Sequence, residues 1–261
     1  MVKRLINIYP IAAILFLSSC SAVSLDDLRD DTPVLTGILR EGQTPWDFRY
    51  FLLQGETGNQ FSVPQDAFIH LIDDAGNECD LAMQGDGTFG CDAAYPIVAG
   101  GTYSITAGNG THRLTAQVTI PGHFELLTVN TSTFTPNPNA PNEIAFQFSW
   151  EQDPALSYAI TLEPLDDNPT PTPFYPSDNF NNQYGLPFLE GQAILRSSYF
   201  NYYGPHRITI YAIDKSYEAV FFFNPVADIR SLLNTGLDNV EGGSGYVAGA
   251  SIVTLNVELL Q

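Results

Sequence analysis

The sequence predicts an all-β chain, two β-sandwich domains in tandem with one short helical segment near the C-terminus. Three observations predict it. Short segments alternate apolar and polar residues with the period of two that a half-buried strand requires. Turn-forming clusters of Gly, Asn and Asp recur at sandwich-like spacing. The 261-residue chain combines 17 Phe, 13 Tyr, 21 Gly and 18 Pro with only 15% charged residues, a balance that favours strands joined by turn-rich connections. The length left after an N-terminal targeting segment suits two domains of ordinary size.

That targeting segment is residues 1–19. Lys3 and Arg4 supply a cationic start, residues 11–17 form an apolar core too short to span a bilayer, and Ser18 and Ser19 follow. With Cys20 standing directly after them, Leu17, Ser18, Ser19 and Cys20 resemble the lipobox of bacterial lipoproteins, which is cut before the cysteine and acylated on it. The resemblance implies lipidation at Cys20 and a tethered ectodomain after it. Each buried acyl methylene is worth about 0.8 kcal/mol, so two or three chains anchor stably where one does not.

Loss of residues 1–19 removes two basic residues and no acid, leaving 8 basic and 29 acidic residues and a net charge of −21. Such a body repels nucleic acid and anionic membrane faces, so nucleic acid is not expected as a partner and the lipid does the attaching. Residues 20–32 read as an acidic tether carrying Asp26, Asp27, Asp30 and Asp31. An acidic stretch behind an acylated cysteine resembles the signal that displays Bacteroidota lipoproteins on the outer face of the outer membrane; a merely solvated linker is the competing explanation.

Residues 33–121 read as the first sandwich, with strands expected at 34–40, 48–54, 67–72, 79–83, 102–107 and 112–120. Cys79 and Cys91 are the remaining cysteines. An exported protein meets oxidising conditions, and the turn at 85–87 sets the two opposite one another on neighbouring strands, so a disulfide is expected. The run of Ala67, Asp74, Gly76, Gly87, Phe89, Gly101, Thr102 and Tyr103 resembles Ig-like, prealbumin-like modules, which act as scaffolds more often than as sites.

Pro121 and Gly122 form a joint, and residues 122–261 read as the second sandwich. Ile144, Phe146 and Phe148 alternate with polar or small residues up to Trp150, and Tyr158, Ile160 and Leu162 alternate in the next strand. A Trp closing one strand and a Tyr opening the next resemble the fibronectin type III arrangement, and residues 206–214 fit a later strand of that module. Residues 164–192 form a long insertion without strand periodicity, rich in aromatics: Phe174, Tyr175, Phe180, Tyr184 and Phe188. Tyr199, Phe200, Tyr202 and Tyr203 add a second aromatic cluster. Rings for stacking and amides for hydrogen bonding suit a glycan, peptide or protein contact, against the plainer alternative of a loop capping the second core. Helical material is expected within 215–234, with Pro225 opening and Gly236 closing a helix. Residues 239–249 read as a Gly-rich turn segment and 250–259 as a closing strand.

Catalytic signatures are weak. His70, His112, His123 and His206 show no ligand spacing and read as structural. Ser244, within Gly242, Gly243, Ser244, Gly245 and Tyr246, falls one glycine short of a nucleophile elbow and reads as a turn. Asp73, Asp74, Asn77 and Glu78, or Asp166, Asp167 and Asp178, offer oxygen ligands without the spacing of a calcium loop. No metal and no cofactor are therefore expected.

The lipobox-like start, the strand carrying Pro33, Val34, Thr36 and Gly37, the 67–103 turn pattern, the Pro121 joint, and Asn239, Val240, Gly242, Gly243, Gly245 and Tyr246 are together similar to a family of Bacteroidota outer-membrane lipoproteins catalogued as a domain of unknown function. Members are commonly encoded beside TonB-dependent receptors. The resemblance implies a non-enzymatic partner of a transporter barrel in nutrient uptake. An adhesin or structural glycan-binding lipoprotein is the alternative, and a glycan hydrolase with dispersed carboxylates the third reading.

Overall fold

The computed structural model describes residues 31–45, 47–54, 60–84, 87–91, 94–174, 191–218 and 238–261. The expected lipidation site Cys20, the aromatic residues Tyr175, Phe180, Tyr184 and Phe188, and the expected helix from Pro225 to Gly236 lie outside the described residues.

In chain order the first unit contributes β1 (Pro33–Arg40), β2 (Phe48–Gln54), β3 (Gln60–Ser62), β4 (Phe68–Asp73), β5 (Glu78–Met83), β6 (Thr88–Cys91), β7 (Thr102–Gly108) and β8 (Arg113–Thr119). The second contributes β9 (Leu126–Val129), β10 (Thr133–Phe134), β11 (Ile144–Trp150), β12 (Leu156–Pro164), β13 (Gln192–Arg196) and β14 (Gly204–Asp214). The C-terminal hairpin is β15 (Val240–Glu241) and β16 (Ser244–Leu259). The fold is all-β and built as sandwiches, as the periodicity predicts.

The first unit is a sheet curled on itself in the order β16-β1-β2-β6-β5-β4-β7-β8-β15. Leu35, Leu39, Phe48, Tyr50, Ile69, Leu71, Phe89, Tyr103 and Leu114 fill its core. In β8, Leu114, Ala116 and Val118 point inward while Arg113, Gln117 and Thr119 face solvent. Cys79 and Cys91 are disulfide-bonded with Cα atoms 6.3 Å apart. They are not directly opposite, however, because Cys91 stands across from Leu81 and Cys79 across from Leu71 of β4. The bond therefore runs diagonally between β5 and β6, within the reach of side chains one step off register.

The second unit packs β13-β11-β9 against β12-β14-β16, with β10 paired in parallel to the end of β16. This is an immunoglobulin- and fibronectin type III-like order of three strands on one face and the remainder on the other. Phe146, Phe148, Trp150, Tyr158, Ile160, Leu162, Ile208 and Ile210 form its core. Trp150 and Tyr158 meet at 5.0 Å between ring centroids. A bulge between Ile144 and Phe146 breaks the expected alternation, so Ala145 and Phe146 are both buried and Ile144 is exposed.

The largest departure from the sequence reading is β16. Its 16 residues take in 244–249 of the segment expected to be a Gly-rich turn. Residues 244–250 pair in parallel with β1, and residues 250–259 pair antiparallel with β14. A boundary that assigns all of 122–261 to the second unit is thus corrected: β15 and the first half of β16 belong to the first sheet. Glycine makes this possible, since a Cβ on Gly245, whose φ is +127°, would collide with the Leu35 carbonyl. Ser244, expected in a turn, opens the strand and donates to Asp238 Oδ2 at 3.2 Å.

Candidate functional site

The end of the second unit farthest from β1 gathers the described members of the two aromatic clusters. After β13 a single 3-10 turn, Ser197–Tyr199, swings the chain round. Phe200 is buried there, edge-on to Phe146 at 5.4 Å and to His206 at 5.3 Å. That anchor fixes the residues beside it. Thr172 N–H donates to the Asn201 carbonyl at 2.8 Å, the Thr172 hydroxyl to the Phe200 carbonyl at 2.8 Å, and Tyr203 N–H to the Thr170 carbonyl at 2.8 Å. Pro171 and Tyr202 complete an isolated antiparallel bridge. The start of the 164–192 insertion is thereby stitched to 200–203, two segments that sequence spacing alone does not join.

Tyr199 and Tyr203 are half-buried and pack against the second core. Tyr202 and Phe174 are half-buried as well, and Phe174 N–H donates to the Thr172 hydroxyl at 3.3 Å. Capping the core and offering a contact face therefore fall to the same rings, which a Tyr can serve by burying its body and wetting its edge. Beside Tyr203 lies a hollow of about 250 Å³ floored by Gly204 and walled by Asp166, Thr170 and Glu258. Gly204 has φ +96°, and a Cβ there would meet the Asp166 carboxylate, so only glycine leaves the floor open. Ring edges beside acceptor carboxylates suit hydroxyl- or amide-bearing ligands.

His206 lies under this end, 2% exposed. Burial lowers its pKa below the ordinary histidine value, partly opposed by the Gly204 carbonyl at 3.0 Å from Nδ1. The other histidines stand apart: His70 Nδ1 is 2.6 Å from Asp80 Oδ1, and His123 Nδ1 is 3.0 Å from Glu41 Oε1. Among the described residues no group of three His, Cys, Asp or Glu side chains is arranged to hold a metal. Asp73, one of the calcium candidates, instead closes its own turn. It accepts from Asn77 N at 2.7 Å, Asn77 Nδ2 at 2.7 Å and Ala75 N at 3.0 Å. The Asn77 side chain, followed by the turn amides, holds its carboxyl below the usual range.

Sequence reasoning missed a second recess, a cleft of about 580 Å³ between the segment that follows Pro121 and the connection from β11 to β12. Phe124 and Tyr158 line it together with Glu125, Leu127, Glu151 and Asp153. Leu127 is 67% exposed and sits at a register shift, between Leu126 opposite Trp150 and Thr128 opposite Ser149. Only the aromatic and acidic residues close after Pro121 hinted at it.

No family model matches this chain, and no curated protein matches it. Among solved structures, the chain is similar to a two-domain fibronectin type III segment of chicken tenascin, at 12% identity with a TM-score of 0.24, covering 87% of this chain and 99% of that one. It is also similar to Salmonella alpha-2-macroglobulin, at 13% identity with a TM-score of 0.25, covering 89% of this chain but 15% of the other. A chimeric titin Z1Z2 matches at 12% identity and a TM-score of 0.22, covering 89% and 97%. Likeness at this level carries no functional argument, and the sandwich architecture stands on the strand pairing itself.

Proposed function

We propose that this chain is a lipid-anchored outer-membrane surface protein that binds rather than catalyses, working beside a TonB-dependent receptor barrel in nutrient uptake. The observation that supports this reading is the course of β16. It starts next to Val34, where the chain enters the first unit, and ends next to Gly204, beside the aromatic cluster. At ~3.3 Å per residue its length is roughly 50 Å. Acyl chains on Cys20 would tether one end of that strand, and the rings of Tyr199, Tyr202 and Tyr203 would be held out at the other for a glycan, a peptide or the receptor itself. Tethering would keep that face at high effective concentration beside a barrel in the same membrane.

A detergent pull-down of the acylated full chain is expected to bring a receptor barrel with it. Tyr202→Ala is expected to weaken the capture roughly tenfold, as loss of an interface tyrosine commonly does. Recovery of no barrel, under conditions that recover a known lipoprotein–receptor pair, contradicts the reading. Cys20→Ser should release the protein from the membrane fraction; a variant that still sediments with membranes contradicts the anchor. The same reach from the membrane favours an adhesin or structural glycan-binding lipoprotein as the second reading. Deletion cells that import normally but lose attachment would select it.

A further inference from the structure

We infer that Glu41 is the clasp that holds the two sandwich units at one fixed angle. The inference does not depend on the surface-lipoprotein reading. Three covalent passages join the units, the 121–125 linker, the chain from β14 to β15 and β16 itself, and the first and last of them meet at this side chain.

At Ala250 the shared strand changes partners: Arg40 of β1 is its last neighbour on one edge, and Ile213 of β14 its first on the other. Glu41 N–H still donates to the Ala250 carbonyl at 2.8 Å. Gly42, with φ +71°, then turns the backbone away so that its N–H meets the Ile97 carbonyl at 2.8 Å. The next group on that edge of β16, the Ile252 N–H, is left without a β1 carbonyl. Glu41 Oε2 takes its place, accepting from Ile252 N–H at 2.9 Å. One side chain thus extends the β1 ladder past the point where the backbone leaves it, as an N-cap side chain does for a helix.

The second oxygen completes the clasp. Glu41 Oε1 lies 3.0 Å from His123 Nδ1, and His123 sits on the linker just after Pro121 and Gly122. Glu41 is 21% exposed at its side chain and His123 is 53% exposed, so the carboxylate is sheltered while the histidine reaches in from solvent. Ile120, the last residue before the linker, packs where a Cβ on Gly249 would come within 2.9 Å of its side chain and 3.0 Å of the Thr119 carbonyl. Linker and shared strand are therefore pinned within a few residues of each other, and neither can swing without breaking a Glu41 contact.

The test is made on the full chain in detergent, with two readouts: hydrogen exchange at the Ile252 amide, and cleavage by a glutamyl endoprotease after Glu125, which is exposed in the linker. Glu41→Ala is expected to speed both by roughly tenfold while the β4 amides of residues 69–72 exchange as before. Glu41→Gln, which keeps a carbonyl oxygen for Ile252, is expected to retain the amide's protection. His123→Ala is expected to speed cleavage alone. Unchanged exchange and cleavage in Glu41→Ala overturn the inference. If Glu41→Ala instead loosens the β4 amides, His123→Ala decides: faster cleavage at unchanged Ile252 exchange sustains the clasp, and unchanged cleavage overturns it.

Discussion

Asn239, just before β15, lies opposite Val247 of β16, and its carboxamide does there what a neighbouring strand would do. Nδ2 donates to the Val247 carbonyl at 2.8 Å and Oδ1 accepts from the Val247 N–H at 2.9 Å. Both backbone groups belong to a fully buried residue, so Asn239→Ala is expected to cost about 1–3 kcal/mol in urea unfolding, and Asn239→Asp a similar amount because it removes the donor. His206 predicts a pH effect. Burial favours its neutral form in the folded chain, so the unfolded chain takes up the proton more readily. The stability it contributes is complete above the ordinary histidine range and is lost as pH falls through that range. Urea midpoints at pH 7.5 and 5.5 should show wild type losing stability on acidification, with a smaller loss in His206→Gln; equal losses would exclude His206 as the source. Neither residue's role was legible from sequence. An Asn before a Gly-rich run reads as a turn, and only the fold reveals that His206 lies beneath Phe200.

Strands with one wet face were legible, and the wholly buried start of β16 was not. The alternation of Val118 and Ile120 with polar Gln117 and Thr119 marks β8 in the sequence because solvent on one face enforces the period of two. Residues 244–251 of β16 are buried throughout, so no polar face marks them. Their small residues serve close approach to β1 and β8 and resemble turn chemistry. Gly245→Ala is therefore expected to cost at least about 2 kcal/mol, since it combines an unfavourable φ with a clash against the Leu35 carbonyl. The diagonal disulfide between β5 and β6 spans a sequence separation of 12. Replacing Cys79 and Cys91 together with Ser should lower stability by about 2–3 kcal/mol, read from denaturant midpoints under oxidising conditions. The aromatic cluster was legible in composition, but its assembly depends on the pairing of Thr170 and Thr172 with residues 201–203, which no local pattern announces.

At the scale of the whole molecule, two sandwiches that read as separate beads are sewn together by one strand. A linker at Pro121 and Gly122 suggests free motion, yet β16 carries one continuous sheet through both units and Glu41 ties the linker to it. A shared strand cannot leave one sheet without exposing the core of the other, where Val247 fills the first and Val257 and Leu259 the second. The units should therefore lose structure together, and a contact face at one end should keep a fixed relation to an anchor at the other. Scanning calorimetry of the full chain is the direct measurement. A single endotherm whose calorimetric and van't Hoff enthalpies agree is expected; two separable endotherms would contradict the shared strand as the element that makes the two units one body.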